Sequence, residues 1–140
     1  MPQTYDVILK GGTVVNQDGR VARDVGITGG KIMALGDLSQ ASAGEVVDCT
    51  GLHILPGVID SQVHFREPGL DHKEDLESGS RAAVMGGVTA VFEMPNTKPP
   101  TGTVEALNIK LEAAERQAYV DFGIYGLTGE DPLDQLEALV

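Results

Sequence analysis

Apolar and polar residues alternate in short bursts over the first part of the chain, then lengthen into strand, loop and helix units. Between Tyr5 and Ile54 the segments YDVILK, GTVV, DVGIT, KIMALG and EVVDC are rich in β-branched residues and each is about as long as an average strand. Asn16-Gln17-Asp18-Gly19 and Gly29-Gly30 are turn signals, and the latter, between Ile27-Thr28 and Lys31-Ile32, marks the clearest hairpin. The pattern predicts a small antiparallel β unit, with Ser39 to Gly44 as an exposed loop.

After Pro56-Gly57 the periodicity changes. Val58 to Val63, at the end of an apolar run from Ile54, reads as a buried strand. Lys73 to Met85 reads as a helix with Leu76, Ala83 and Val84 on its apolar side and Gly86-Gly87 as its stop. Val88 to Met94 is a second strand of the fully buried kind. Beyond the Pro-rich loop PNTKPPTG, Thr103 caps a helix running to about Tyr119, with Val104, Leu107, Leu111, Ala114 and Ala118 at spacings of three and four. Val120 to Gly126 is a third strand, and Pro132 opens a third helix. Three successive strand and helix units argue for a parallel sheet with right-handed crossovers, hence an α/β fold. The expected division is residues 1–55 and 56–140. The apolar stripe Leu133, Leu136, Leu139, Val140 has nothing left to pack against, so the chain is expected to be the N-terminal part of something longer.

Composition narrows the function. A chain of 140 residues with 41% hydrophobic positions can build one ordinary core, and its net charge of -11 is spread along the sequence. No basic stripe is available to neutralise phosphates, and aromatics are only 4%, which argues against nucleic acid as a partner. Cys49 is the only cysteine, so no internal disulfide can form, and it is expected to be a small buried apolar residue. Neither a leader of the secretory type nor an apolar run long enough for a bilayer is present, so no membrane partner is expected and the expected location is the cytoplasm.

The stretch with chemical content is Leu55 to Leu70, LPGVIDSQVHFREPGL. Along an extended chain Asp60, Gln62, His64 and Arg66 fall on one face and Ile59, Ser61, Val63 and Phe65 on the other. An amide, an imidazole and a guanidinium aimed one way at a strand end suggest convergence on a ligand. The plainer readings are that His64 is a hydrogen-bonded structural residue and that Arg66 and Glu67 form a solvated pair worth little. Asn96-Thr97-Lys98 follows the second strand, and adjacent parallel strands lie about 4.8 Å apart, so Arg66 and Asn96 can reach a common guest. A guanidinium fork with a carboxamide beside it suits an anionic small molecule. Asn96 can equally be a turn residue whose side chain satisfies the loop after Pro95. His53 reads as packed, His72 as exposed, and Glu93 as either a supporting partner or an edge residue.

DSQVHFREPG followed by GGVTAVFEMPNT resembles the dihydroorotase branch of the amidohydrolase superfamily. YDVILKGGTVV to LHILPGVID resembles the small β-sandwich domain of the same proteins. The resemblance implies residues 1–55 as strands of that sandwich and residues 56–140 as the first three units of a (β/α)8 barrel, incomplete here. In that family the first strand ends Asp-x-His-x-His-x-Arg, with both His on zinc and the Arg and the Asn of the Pro-Asn-Thr loop on the substrate carboxylate. By position, His64 is the implied metal ligand, and Arg66 and Asn96 are the implied substrate anchors. Gln62 stands where the first His should be, and an amide oxygen is a weaker zinc ligand than an imidazole. The remaining metal ligands and the catalytic Asp are implied beyond Val140, so no catalytic residue is assigned within this stretch.

For the intact protein the resemblance implies one or two zinc ions and the reversible interconversion of dihydroorotate and N-carbamoyl-aspartate in pyrimidine synthesis. It also implies a homodimer or a complex with aspartate transcarbamoylase as partner states. Two other readings stand beside it: a related hydantoinase or allantoinase, and a catalytically silent scaffold, which Gln62 would favour.

Overall fold

In the computed structural model of the chain, residues 3–127 are described. The helix expected from Pro132 and the stripe from Leu133 to Val140 lie outside them. The chain divides between Pro56 and Gly57 into two compact units.

The first unit is all strand: β1 (Thr4–Lys10), β2 (Thr13–Asn16), β3 (Gly19–Ala22), β4 (Asp24–Thr28), β5 (Lys31–Gly36), β6 (Ser42–Asp48) and β7 (His53–Ile54). They form a sheet ordered β5-β4-β1-β6 and another ordered β3-β2-β7. Gly29-Gly30 closes the β4-β5 hairpin as the sequence predicts, with Thr28 opposite Lys31. The unit is mixed, not purely antiparallel, because β6 and β7 run parallel to β1 and β2. The chain leaving β5 does not fold back on it but crosses to the far side of β1. Half of the predicted loop from Ser39 to Gly44 is therefore strand, fixed at its start by Ser42 N–H donating to Gln3 O and by the Thr4 and Ser42 hydroxyls 3.1 Å apart. The four exposed residues of β3 carry no apolar alternation strong enough to be read as a strand, and pairing with β2 makes them one. Tyr5, Ile8, Val14, Val25 and Cys49 are buried. His53 is exposed, contrary to the expectation that it packs.

The second unit alternates β8 (Val58–Val63), α1 (Leu76–Met85), β9 (Val88–Glu93), α2 (Val104–Gln117) and β10 (Asp121–Ile124). Its three strands are parallel and ordered β10-β9-β8. The α1 helix starts three residues later than its apolar pattern suggests, because Asp75 Oδ1 accepts the Ser78 N–H at 2.7 Å and so sets the N-cap. Thr103 caps α2 as predicted, through the Ala106 N–H.

Two burial expectations fail here for physical reasons. The buried face of α2 is Ala106, Lys110, Ala113 and Ala114, while Leu107 and Leu111 are only half-buried. Small residues let the helix approach the sheet closely, and Lys110 is tolerated among them because an acid faces it, as described below. The β8 strand is not deeply buried: it is an edge strand, and Val58 and Ile59 are 55% and 64% exposed. Phe92 on β9 is also exposed, since the helices cover only the opposite face.

The core joins Phe65, Leu76, Val91, Ala113, Ala114 and Val120. Phe65 lies against Gly79 of α1, where a Cβ would come within 2.5 Å of ring atom Cδ1. We expect Gly79→Val to destabilise the chain by about 1–3 kcal/mol through overpacking, despite its higher helix propensity. Urea unfolding monitored by circular dichroism would check this, and an unchanged midpoint would mean that the ring does not occupy that place.

Candidate active-site rim

The loop after β8 begins with an irregularity. Asp60 Oδ1 accepts the Gln62 N–H at 3.0 Å, and the pairing with β9 slips between Asp60 and Val63. The extended alternation expected from Asp60 to Arg66 therefore does not hold. The strand ends at Val63, and Arg66 turns into the left-handed region with φ 67°. Asp60 and Gln62 are exposed. What aims His64 and Arg66 is the buried Phe65 between them, which anchors the loop in the core and leaves its two neighbours half-buried at the surface.

His64 meets Asn96, with Nδ1 to Oδ1 at 2.9 Å. A carboxamide oxygen only accepts, so Nδ1 is the donor, and in a neutral ring Nε2 then carries the lone pair. The same bond leaves both Nδ2 protons of Asn96 without an acceptor among the described residues. The loop around Asn96 satisfies itself without that side chain. Thr97 N–H and Thr101 N–H both donate to Pro95 O, and Thr97 Oγ1 donates to Pro99 O. Arg66 has no side-chain hydrogen bond or ion pair among the described residues, and Glu67 is not its partner. The two loops are tied directly by Lys98 N–H to Pro68 O at 3.0 Å. Gly69, at φ +88°, permits this approach, since a Cβ there would run into the Lys98 carbonyl.

Two carboxylates behind the rim were undervalued by sequence reasoning. Glu67 Oε2 accepts the Leu76 N–H at the start of α1, while Oε1 accepts from Gln117 Nε2 at the end of α2, both at 2.9 Å. Its role is a tie between helices, which a neighbouring Arg in the sequence conceals. Glu93 is 3% exposed and faces Lys110, 1% exposed, with Nζ 3.5 Å from Oε1. Glu93 Oε2 also accepts the Phe65 N–H at 2.9 Å. Lys110 Nζ donates to Met94 O at 2.8 Å and to Thr101 Oγ1 at 3.5 Å. A void of about 10 Å³ beside them is at the lower limit of what one water needs. Burial pushes the Glu93 carboxyl above its ordinary value, against the Phe65 hydrogen bond and the Lys110 charge. It pushes the Lys110 ammonium down, against the pull of Glu93. Glu93 thus adds stability at low pH and loses it as pH rises through its raised pKa. Lys110 adds it at high pH and loses it as pH falls through its lowered pKa. The signal that could have found the pair is a lysine on the small-residue face of α2 and an acid in an apolar strand.

The chain belongs to the amidohydrolase family, whose profile matches residues 53–138. It is 39% identical over 137 residues to an allantoinase of Deinococcus radiodurans, covering 97% of this chain and 31% of that protein. It is 43% identical over 110 residues to a dihydroorotase of Methanothermobacter thermautotrophicus, covering 76% of this chain and 25% of that one. Among solved structures, the L-hydantoinase (dihydropyrimidinase) from Arthrobacter aurescens superposes with a TM-score of 0.83 at 36% identity, over 87% of this chain and 28% of that one. The chain spans about a third or less of each of these relatives. These relatives and neighbours are named as allantoinases, a dihydroorotase and hydantoinases, and the described part of this chain shares the mixed α/β fold of the family. No helix among the described residues is long and apolar enough to cross a membrane.

The described residues do not complete a metal site. His64 offers Nε2 in the tautomer a ligand needs, but no three His, Cys, Asp or Glu side chains gather closely enough among them to hold an ion. Gln62 adds only an exposed amide.

The buried pair gives a direct test. Lys110→Met alone is expected to cost about 3–5 kcal/mol by leaving Glu93 without its ion-pair partner, whereas Glu93→Leu with Lys110→Met is expected to cost less, about 1–3 kcal/mol for the Phe65 N–H left without an acceptor. Chemical denaturation of the two variants would measure the difference. Equal losses in both would mean that the pair is a net stabiliser.

Proposed function

We propose that the intact protein is a cyclic-amide hydrolase of the dihydroorotase type, acting on dihydroorotate and N-carbamoyl-aspartate, with residues 1–55 belonging to a β-sandwich domain and residues 56–140 opening a (β/α)8 barrel. The observation that carries this reading is the state of the donors on the rim. Among the described residues, Asn96 has its oxygen committed to His64 and its protons unspent, and Arg66 has a guanidinium with no partner. Two unspent donor groups on hydrogen-bonded loops favour an anionic guest, and the side carboxylate of dihydroorotate is one.

In this reading Arg66 and Asn96 bind the carboxylate and fix the orientation of the ring, which supports reaction by positioning. His64 would hold zinc through Nε2, and it meets Asn96 through Nδ1. A second reading, hydrolysis of allantoin, is favoured by the allantoinase names among the relatives. Against it stands Arg66, since a neutral ring gives a guanidinium no charge to pair with.

Turnover of dihydroorotate, allantoin and hydantoin by the intact protein separates these readings. Preference for dihydroorotate is expected, and turnover of allantoin alone would transfer the assignment. Arg66→Ala is expected to raise KM for dihydroorotate roughly ten- to a hundredfold, the worth of one charged hydrogen bond, with a smaller fall in kcat. Gln62→His is expected to raise zinc bound per chain, read by elemental analysis. No gain in zinc would remove His64 from the proposed ligand set.

A further inference from the structure

An apolar pair of equal volume could fill the space that Glu93 and Lys110 occupy. What an apolar pair could not do is make the hydrogen bonds that leave it. Glu93 Oε2 takes the N–H of Phe65, the residue between His64 and Arg66. Lys110 Nζ gives one proton to the carbonyl of Met94, two residues before Asn96, and another to Thr101 Oγ1. Thr101 is the residue whose N–H closes the Asn96 loop on Pro95 O. These bonds reach the roots of both loops, and the two charges that make them hold each other at 3.5 Å. On the rim above, the His64 to Asn96 hydrogen bond crosses from one loop to the other and depends on both roots staying in register.

We propose that Glu93 and Lys110 are positioning residues that set the spacing of the His64–Arg66 loop against the Asn96 loop, and through it the fit of the anionic substrate. The proposal rests on the reading of Arg66 and Asn96 given above. Neither residue touches the substrate. Each acts through the backbone of a residue next to, or two away from, one that does.

The test uses the intact protein with the double substitution Glu93→Leu and Lys110→Met, and separately with Glu93→Gln. Three quantities are read: amide hydrogen exchange at Phe65, the nitrogen-15 shifts of the His64 ring, and KM and kcat for dihydroorotate. The double variant is expected to fold, to exchange the Phe65 amide faster, to lose the shift signature of Nδ1 bonded to Asn96, and to raise KM roughly tenfold with a smaller change in kcat. Glu93→Gln keeps an acceptor for Phe65 but removes the charge facing Lys110. It is expected to leave Phe65 exchange near the wild-type rate while weakening the His64 to Asn96 contact. A purely structural pair would change the folded fraction and leave KM and the ring shifts untouched, and that result overturns the proposal. Should the double variant not fold, an unchanged His64 signature in Glu93→Gln overturns it alone. If Arg66→Ala fails to raise KM, the substrate reading falls, while Phe65 exchange and the ring shifts still decide the positioning role.

Discussion

A carboxylate and an ammonium with almost no solvent around them sit under two loops of the second unit, and the local architecture is arranged to keep them together. Desolvation opposes both charges, so each must find hydrogen bonds to replace water. Glu93 finds them in Lys110 and a backbone N–H, and Lys110 in Glu93, a carbonyl and a hydroxyl. That requirement explains the character of α2. A helix that brings a lysine to the core must otherwise present little bulk there, and its remaining inward positions are Ala106, Ala113 and Ala114.

The same arrangement separates the labour of the loop after β8. Phe65 is the anchor, held in the core by its ring against Gly79 and by its N–H on Glu93. His64 and Arg66 can face outward because the residue between them is held in the core. The rim is thus built on a fixed point in the chain, with the bulge near Gln62 and the left-handed Arg66 supplying the change of direction on either side.

Much of this was legible in the sequence where local chemistry decides the outcome. The Gly29-Gly30 hairpin, the Thr103 cap and the strand from Val58 to Val63 follow from turn residues, capping oxygens and apolar runs. The parallel return of β6 was not legible, because crossing to the far side of β1 is decided by long-range pairing. Nor was the rotation of the buried face of α2 away from Leu107 and Leu111. A lysine reads as solvent-facing until its acid partner, on another element, is known. His64 and Asn96 could be named as candidates from their places after two strands. Their hydrogen bond, and the irregular path from Asp60 to Arg66 that makes it possible, required the fold. Glu67 was hidden by the opposite charge beside it, and its true partners lie on two helices.

Glu67 carries a consequence of its own. One carboxylate, bound by one oxygen to the first turn of α1 and by the other to the last turn of α2, makes the loop that bears Arg66 a mechanical link between the helices. The residue beside Arg66 is thus bonded to both helices at once, and their separation at this end is set by the reach of one side chain.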